Sequence, residues 1–541
     1  MIARRPLARP AWRSSRRPFV AVGILLALAA ASFSALPHAA ANARAAAKID
    51  PKGVLKYAAD LTTVGGGGFP IELDPIKMPS GTYPLSFGRW IYDTLVRVGP
   101  GGPVPGLAKS WSFPDAKTIK LKLQKGVKFQ DNTPFNAQAV NASLDRNLAA
   151  ANAGTSPPFF KPDFKNLDSV EAVGADVVRL HLKTPSIAAF FELLHDKESF
   201  VVSPTAVQKE GADFANHPVG AGPYQLTNWQ REQSMTLTKF KGFWQKTGWK
   251  IAGIDVLQGG PAPTQVDQLL GDQVDMIAVT SRETIDAVKG KPDIAIKTTG
   301  SAAAVFLQMC ISEKPFDNPD VRKAIAYALD REEINQGATG GTGLATDLPW
   351  PKDSPFYIKS LGNKYPHNLT KAKALLEKAG YGNGLEFNLA LILAPIFQTP
   401  AEIIQNQLAK VGIKMNLLPV QIYRTDVYTD HKAPAAISTT IQRGFGLVYP
   451  IDPSQIPDWC HYDDLQATGA INELKSKVGS EAEQTAAWTK IEKALVREVP
   501  VIYLYFSPVG MAYNDQRVGG VKQVYPTPAE GANLETMFIK K

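Results

Sequence analysis

Apolar and polar residues alternate in two short segments of the chain, 119–123 and 178–182. The apolar positions are Ile119, Leu121 and Leu123 in the first segment and Val178, Leu180 and Leu182 in the second. Successive side chains of a strand point to opposite faces of a sheet, so this period is typical of a strand with one buried face. The pattern therefore predicts two half-buried β-strands.

Elsewhere the apolar positions follow helical spacing between clear start and stop signals. One predicted helix begins at Asn318-Pro319 and carries Val321, Ile325 and Leu329 on one face. A second begins with a capping box at Thr399-Pro400-Ala401-Glu402 and ends at Gly412. A third carries Trp488, Ile491 and Leu495 and stops before Pro500. An apolar run over 501–506 predicts a buried strand. Because helices and strands are interspersed, the expected class is α/β or α+β.

The longest apolar run, Phe19–Leu36, follows a start that holds six arginines and no acid. The small residues Ala41-Asn42-Ala43 come soon after it. This order predicts a secretory signal peptide over residues 1–43. A transmembrane anchor is the alternative, because the run has about the length of a short spanning helix. Ser15–Val20 also resembles the twin-arginine export pattern, which leaves both export routes open.

No cysteine stands near the expected cleavage site, so we expect a secreted periplasmic protein without a lipid anchor. The whole chain has a formal net charge of +9, but six of the positive charges fall within residues 1–43. The small remaining excess gives no argument for nucleic-acid or membrane binding. Residues 44–541 are numerous enough for two or three domain-sized units.

The chain holds two cysteines, Cys310 and Cys460. An oxidising compartment would permit a disulfide between them. Two buried free thiols are equally compatible with the sequence, which does not give the distance between them.

Motifs of catalysis are missing from the sequence. The seven histidines form no HExxH pair or other close metal-ligand pair. There is also no GxSxG nucleophile elbow and no GxxxxGK[ST] phosphate-binding loop. We therefore expect no enzyme activity, no metal and no cofactor.

Several segments resemble, in the same order, the bacterial extracellular solute-binding proteins of family 5, which include dipeptide-, oligopeptide- and nickel-binding proteins of ABC transporters. The segments are Leu73-Asp74-Pro75, Ile91–Val96, Leu107–Trp111, Leu123–Phe135, Asn216–Tyr224, Phe243-Trp244, Lys314–Ile325, and Ala372–Leu376 with Ala379–Tyr381. Together they extend over most of the chain after residue 43. Most consist of turn and scaffold residues, so they identify a fold and not a ligand.

The resemblance implies an α/β, two-lobed periplasmic-binding-protein fold of the large type, with an extra subdomain and a hinge between the lobes. The implied organisation is lobe I with the extra subdomain over 44–304, lobe II over 305–510, and a C-terminal return to lobe I over 511–541. The implied function is capture of a peptide or peptide-like solute, followed by delivery to ABC permease subunits in the inner membrane. We expect a monomer that closes around its ligand.

The resemblance also implies a ligand-binding segment. Peptide-binding relatives carry a pattern near Trp-x-x-Asp-Tyr-Pro-Asp-Pro, whose first Asp pairs with the ligand's α-ammonium. The matching stretch here runs from Arg443 through Gly444 to Pro453, with Phe445 at the Trp position, Val448 at the Asp position, and Tyr449 matching. Arg443 is a new charge that either contacts a ligand or forms a surface salt bridge.

Tyr503 and Tyr505 lie near a cleft aromatic of the family, although core packing is an alternative for either one. A valine cannot pair with an ammonium, so the ligand is expected to be a modified peptide, an acidic compound or an apolar solute, unless Asp452 replaces the missing carboxylate. A non-peptide solute binder, a periplasmic sensory or chaperone-like protein, and an enzyme on the same fold remain the alternatives to peptide import.

Overall fold

The computed structural model describes residues 48–61, 71–78, 82–99, 102–154, 162–279, 281–421, 423–441, 444–454, 460, 462, 464–522 and 534–541. The predicted signal peptide lies outside these residues. The strands are β1 Val54–Ala59, β2 Val96–Gly99, β3 Gly102–Pro105, β4 Ala108–Asp115, β5 Thr118–Leu123, β6 Leu167–Val173, β7 Val177–Leu182, β8 Tyr224–Gln230, β9 Ser234–Lys239, β10 Gly253–Gln258, β11 Met276–Val279, β12 Ile294–Met309, β13 Leu344–Ala345, β14 Leu385–Leu391, β15 Ile413–Pro419, β16 Ala435–Ile441, β17 Val501–Asn514, β18 Val518–Gly519 and β19 Phe538–Ile539.

The helices alternate with these strands along the chain. They are α1 Thr82–Tyr92, α2 Ala137–Ala153, α3 Ile187–Leu193, α4 Pro204–Glu210, α5 Ala262–Leu270, α6 Arg282–Val288, α7 Pro319–Ala328, α8 Arg331–Thr339, α9 Leu369–Lys378, α10 Pro395–Ala409, α11 Leu465–Ser476 and α12 Glu481–Glu498. Short 3-10 turns cover Pro162–Asn166, Lys197–Ser199, Gly211–Asp213 and Gly444–Ile451, and a π-helical turn covers Arg424–Thr429. Within the described residues, no helix is both long and apolar enough to cross a membrane.

The largest sheet has the strand order β15-β14-β16-β12-β17-β11-β1-β10-β9-β8, and β13 pairs with β17 beside this path. Its two longest members, β12 and β17, run antiparallel through its centre. The late part of β17 pairs with the early part of β12 on one side and with β11 on the other, and β11 pairs in turn with β1. The late part of β12 instead pairs with β16. These two strands therefore connect two groups of strands.

The pairing of β12 with β17 shifts register between Thr299 and Ala303, opposite Ser507 and Val509. Pro508 stands at this break, and proline has no N–H to donate to a ladder. The apolar clusters also divide here: Val509 packs in a cluster formed by residues between 55 and 276 and between 509 and 539, whereas the residues between 303 and 507 fill separate cores. We call residues 48–299 with 509–541 the first region, and residues 303–507 the second region.

The first region includes a separate four-stranded antiparallel sheet with the order β4-β5-β7-β6. This sheet has its own apolar cluster, in which β5 and β7 supply one row of side chains and α2 and α3 cover them. The period-two segments at 119–123 and 178–182 form β5 and β7, with the predicted apolar residues buried.

The glycines of the 216–224 segment allow it to lie against the end of α1. Gly222 donates its backbone N–H to the carbonyl of Ile91 at 2.8 Å. The Gln130 carboxamide joins the same two segments: it donates to the carbonyls of Ile91 at 2.8 Å and Tyr224 at 2.7 Å, and it accepts from the Gly220 N–H at 2.9 Å. Three of the motif segments are thus neighbours in space, and their role here is structural.

One predicted helix boundary is wrong. The helix expected to start at the Thr399 capping box is α10, which begins at Pro395 and continues through Pro400. Proline inside a helix removes one backbone hydrogen bond, but Pro400, Ile404 and Leu408 are all buried against the core. The packing of this face stabilises the helix despite the missing bond.

The other predicted elements are present. Helix α7 begins at Pro319 after an Asn318 cap, and Trp488 lies on the buried face of α12. The strand expected over 501–506 is the first part of β17, which extends to Asn514. The mixed α/β class is therefore confirmed.

Candidate functional site

The segment implied to carry the ligand site begins with the 3-10 turn Gly444–Ile451, directly after β16. The Thr440 hydroxyl at the end of β16 donates to the Gly446 carbonyl at 2.6 Å. From β17, the buried Tyr503 hydroxyl donates to the Leu447 carbonyl at 2.6 Å. The turn is thus held at both sides by side chains from neighbouring strands of the second region.

Val448 lies on the inner side of this turn and has no exposed surface. It packs in an apolar cluster with Phe306, Leu447 and Ile451. A carboxylate at this position would be desolvated in that cluster, and burying an unpaired charge is costly. The valine therefore fits its surroundings, and the absence of the expected Asp is matched by an apolar environment.

Tyr503 and Tyr505 are both buried, with 1% of their surface exposed, but they face different cores. Tyr503 contacts Phe306 and the turn, whereas Tyr505 packs in the cluster of Val305. Alternation would put both tyrosines on one face. The register shift between Val305 and Phe306 inserts Leu504 as an extra residue on β17, and a bulge of this kind redirects the side chains that follow it.

Tyr449, at the outer side of the turn, is half-buried and belongs to a group that we call the tyrosine cluster, Tyr423, Tyr428 and Tyr449 with Gln308. The rings of Tyr428 and Tyr449 lie 6.0 Å apart, and those of Tyr423 and Tyr428 lie 5.5 Å apart. The Gln308 carboxamide of β12 donates to the hydroxyls of Tyr423 at 2.8 Å and Tyr428 at 3.0 Å. Burial raises the pKa of both tyrosines, so their hydroxyls stay protonated.

The π-helical turn Arg424–Thr429 brings Tyr423 and Tyr428 to the same side. In this turn the Asp430 N–H donates to the Thr425 carbonyl, five residues back, at 2.8 Å. Residues five apart are therefore about one turn apart. The tyrosine cluster could not be predicted from the sequence, because five-residue spacing gives no common face in an α-helix.

The structure joins Cys310 and Cys460 by a disulfide, with their Cα atoms 4.6 Å apart. Cys310 follows β12 two residues after Gln308, and both cysteines pack in one apolar cluster with Tyr428. The bond therefore attaches the chain beyond the 444–454 segment to the strand that carries Gln308. The sequence left open a disulfide or two buried free thiols, and the structure contains the disulfide.

Asp452, directly after the turn, is buried, and both of its carboxylate oxygens accept hydrogen bonds. One of its carboxylate oxygens accepts from the backbone N–H of Ser454 at 3.0 Å and from its hydroxyl at 2.8 Å. The other oxygen accepts from the Lys475 ammonium at 3.1 Å. A ligand ammonium would have to displace this lysine, so Asp452 does not supply the carboxylate that is missing at Val448.

The side chains of two predicted site residues lie outside the described part of the structure. Arg443 lies outside the described residues, and so does the side chain of Phe445. Gly444 is the first residue of the 3-10 turn. The described part of the site thus offers phenol rings, phenol hydroxyls and a carboxamide. These neutral groups can hold a small polar solute by hydrogen bonds and ring contacts.

One possible metal-ligand group occurs among the described residues, far along the chain from this segment. Glu210, Asp213 and His217 lie near one another on the surface of the first region. His217 Nδ1 is 3.3 Å from Glu210 and 3.0 Å from Asp213, and Lys209 pairs with Glu210 at 2.7 Å. These contacts form an exposed ion-pair network, and we assign it no metal.

Comparisons with known proteins agree on one family. The family model described as bacterial extracellular solute-binding proteins, family 5 middle, matches residues 102–455. The glutathione-binding protein GsiB of Shigella flexneri serotype 5b is 33% identical over 313 residues. That alignment covers 57% of this chain and 59% of GsiB, so the match spans less than two thirds of the curated relative.

Solved structures match over almost the whole chain. The periplasmic binding protein AgaA of A. tumefaciens R10, in complex with agropinic acid, is 27% identical with a TM-score of 0.75, covering 90% of this chain and 99% of AgaA. DppA of Helicobacter pylori, in complex with the peptide STSA, is 22% identical with a TM-score of 0.75, covering 91% and 98%. The expected periplasmic-binding-protein fold is therefore confirmed.

Proposed function

Because the chain belongs to the bacterial extracellular solute-binding proteins of family 5, we propose that it is the substrate-binding subunit of an ABC importer. It captures a peptide or peptide-like small solute and delivers it to permease subunits of the inner membrane. In this proposal the mature protein is a periplasmic monomer, secreted without a lipid anchor, and it binds its solute without changing it chemically.

The observation that carries this proposal is the paired break in β12 and β17. The two strands are the central connection between the first and second regions, and both lose regular pairing at the same level, near Pro508. Hinges consist of a few residues that absorb backbone rotation between rigid bodies. We place lobe I at 44–304 with the return at 511–541, and lobe II at 305–510, close to the positions where the apolar cores divide.

The turn Gly444–Ile451 and the tyrosine cluster form the ligand-binding face of lobe II in this proposal. Gly444, Phe445 and Tyr449 line the solute, Arg443 provides a cation for a carboxylate, and Tyr503 holds the turn from behind. Val448 fills the core beneath the turn, and Tyr505 fills a separate core. The half-buried Tyr449 supports this assignment, because its ring lies beside that of Tyr428, whose buried hydroxyl accepts a hydrogen bond from Gln308.

The ligand class follows from the charges around the turn. Val448 is buried among apolar side chains, and Asp452 is neutralised by Lys475. We therefore favour a solute that needs no carboxylate for a free α-ammonium. Glutathione and agropinic acid are the ligands named for GsiB and AgaA. Glutathione carries a free α-ammonium, so these charges favour it less than a solute without one. A non-peptide solute of similar acidity is the second candidate supported by these charges.

Calorimetry on protein freed of solute by unfolding and refolding tests the function. The panel contains glutathione, agropinic acid, and di- to pentapeptides in free and N-acetylated forms. We expect one class to bind with 1:1 stoichiometry and to be recovered unchanged, and we expect N-acetylation to leave peptide binding intact. Turnover of a panel member would support an enzyme. Binding of free peptides that acetylation abolishes would show that an ammonium anchor exists.

The residue assignment is tested by Tyr449→Ala, which should weaken the binding of the panel member identified in this way by about tenfold or more. Tyr327→Ala is the matched control, because Tyr327 is also a partly buried tyrosine in a ring pair of the second region, with Tyr365 at 5.2 Å. Equal affinity losses in the two variants would argue against a ligand role for Tyr449.

A further inference from the structure

Lys475 lies near the end of α11, with its ammonium group almost fully buried. This group is 2.8 Å from a carboxylate oxygen of Asp163, 3.1 Å from Asp452 and 2.8 Å from the Ser454 hydroxyl. Burial alone would lower the pKa of Lys475, but the two carboxylates raise it more, so its pKa lies above the ordinary value. The lysine is therefore a cation held between two acids.

The two acids belong to different regions of the molecule. Asp452 ends the turn of the proposed ligand site in the second region. Asp163 belongs to the 3-10 turn Pro162–Asn166 of the first region, where the neighbouring Phe164 stacks on Phe190 of α3 at 5.8 Å. Helix α11 packs against α3 at the same place. The ion pair with Asp163 thus lies within a packed interface between the two regions.

The contacts on the second region remain complete without Asp163. If the regions separated, Lys475 would keep the Asp452 carboxylate and the Ser454 hydroxyl, so no buried charge would be left unpaired. This matters because stranding a buried charge strongly destabilises a fold, whereas forming a buried ion pair roughly balances attraction against desolvation. The contact can therefore form and break at low net cost, as a reversible conformational contact requires.

We propose that Lys475 is a closure contact, which joins the turn of the ligand site to Asp163 of the first region when the two regions approach. The proposal rests on the proposed function for its biological meaning. Arg282 also crosses between the regions, donating to the Gln336 carbonyl at 3.2 Å, but that contact is exposed. Lys475 is distinguished by its burial and by its direct link to Asp452.

The test is hydrogen–deuterium exchange of the full mature protein without solute, comparing wild type with Asp163→Asn. We expect exchange to increase about two- to threefold on both faces of the interface, residues 187–193 and 465–476, because the solute-free protein samples the closed arrangement and loss of the contact shifts it towards the open one. Residues 118–123 in the core of β5 should not change. Asp168→Asn, five residues away at an exposed position of β6, is the matched control and should leave all three segments unchanged.

Two outcomes would overturn the proposal: equal exchange in wild type and Asp163→Asn, or increased exchange confined to residues 187–193. Lys475→Met removes the same contact together with those to Asp452 and Ser454. It should also increase exchange on both faces, and adding Asp163→Asn to it should have no further effect, because the shared contact is already lost. An additive double variant would show that Asp163 acts through another partner. If Lys475→Met does not fold, the Asp163→Asn comparison decides alone. Because no solute is used, the result of this test does not depend on whether any member of the calorimetric panel binds.

Discussion

The Tyr503 hydroxyl donates a buried hydrogen bond of 2.6 Å to the carbonyl of Leu447, 56 positions earlier in the chain. This bond connects the central strand β17 to the turn of the proposed ligand site. Because β17 also crosses between the two regions, the turn is attached directly to a strand that the proposed hinge must bend.

Replacing Tyr503 by Phe should lower the free energy of unfolding by about 1 to 2 kcal/mol, because the buried Leu447 carbonyl loses this donor. Urea denaturation measures the change. Tyr505→Phe is the matched control on the same strand. Tyr505 is equally buried, but the structure shows no hydrogen bond from its hydroxyl to another described residue, so its loss should be smaller. Equal losses in the two variants would show that the Tyr503 bond contributes nothing specific.

The Cys310–Cys460 disulfide closes a loop with a sequence separation of 150. Its reduction should lower the free energy of unfolding by about 2 to 5 kcal/mol, because a cross-link over a long loop restricts the unfolded chain. Thermal melts with and without dithiothreitol measure the loss. The Cys310→Ser/Cys460→Ser variant should melt lower and should not respond to dithiothreitol. Two reactive thiols in denatured, unreduced protein from the periplasm would contradict the assignment.

Gly222 cannot be replaced by a larger residue without local movement. A Cβ atom there would lie 2.5 Å from the carbonyl oxygen of Trp90 and 2.6 Å from that of Ile91. Gly222→Ala should therefore cost about 2 to 4 kcal/mol in urea denaturation. The control is Gly469→Ala on the exposed side of α11, where a Cβ atom meets nothing within 4 Å. This change should stabilise by about 0.5 to 1 kcal/mol.

Glu492 of α12 has no exposed surface, and one of its oxygens has no hydrogen-bond partner in the described structure. Burial raises its pKa to about 8. The Ile358 N–H, which donates to the other oxygen at 3.1 Å, counteracts this rise, and Asp347 adds to it. The folded protein thus holds this proton more tightly than the unfolded chain, whose glutamate pKa is about 4.3. Between these pKa values the free energy of unfolding falls as pH rises.

Glu492→Gln should remove this pH dependence, because glutamine resembles the protonated acid. The variant and wild type should have similar stability at pH 5, and the variant should be more stable by up to about 4 kcal/mol at pH 9. Urea denaturation across this pH range measures the difference. Glu377→Gln, at an exposed position of α9, is the control and should show no such divergence. A constant difference between Glu492→Gln and wild type would contradict the account.

Most elements could be predicted from local sequence. Period-two alternation located β5 and β7, and the Asn318-Pro319 signal located the start of α7, because both patterns depend on neighbouring residues. The start of α10 was misplaced because Thr399-Pro400 is a strong local signal. The burial of Pro400, which overrides that signal, depends on the rest of the fold.

The site was less predictable, because its features depend on irregular backbone and distant contacts. Sequence placed Tyr503 and Tyr505 together, but the bulge at Leu504 separates them. The π-helical turn that aligns Tyr423 with Tyr428 has no sequence signature of its own. The contact between Lys475 and Asp163 joins distant parts of the chain, and no local pattern of charge indicates it.

The proposed function requires that the two regions close around a small solute by bending near Pro508. Small-angle X-ray scattering tests it most directly, on protein freed of solute and on the same protein saturated with the panel member that calorimetry shows to bind. We expect a smaller radius of gyration in the saturated protein, because the regions approach and exclude solvent from the space between them. An unchanged radius of gyration at confirmed saturation would contradict it.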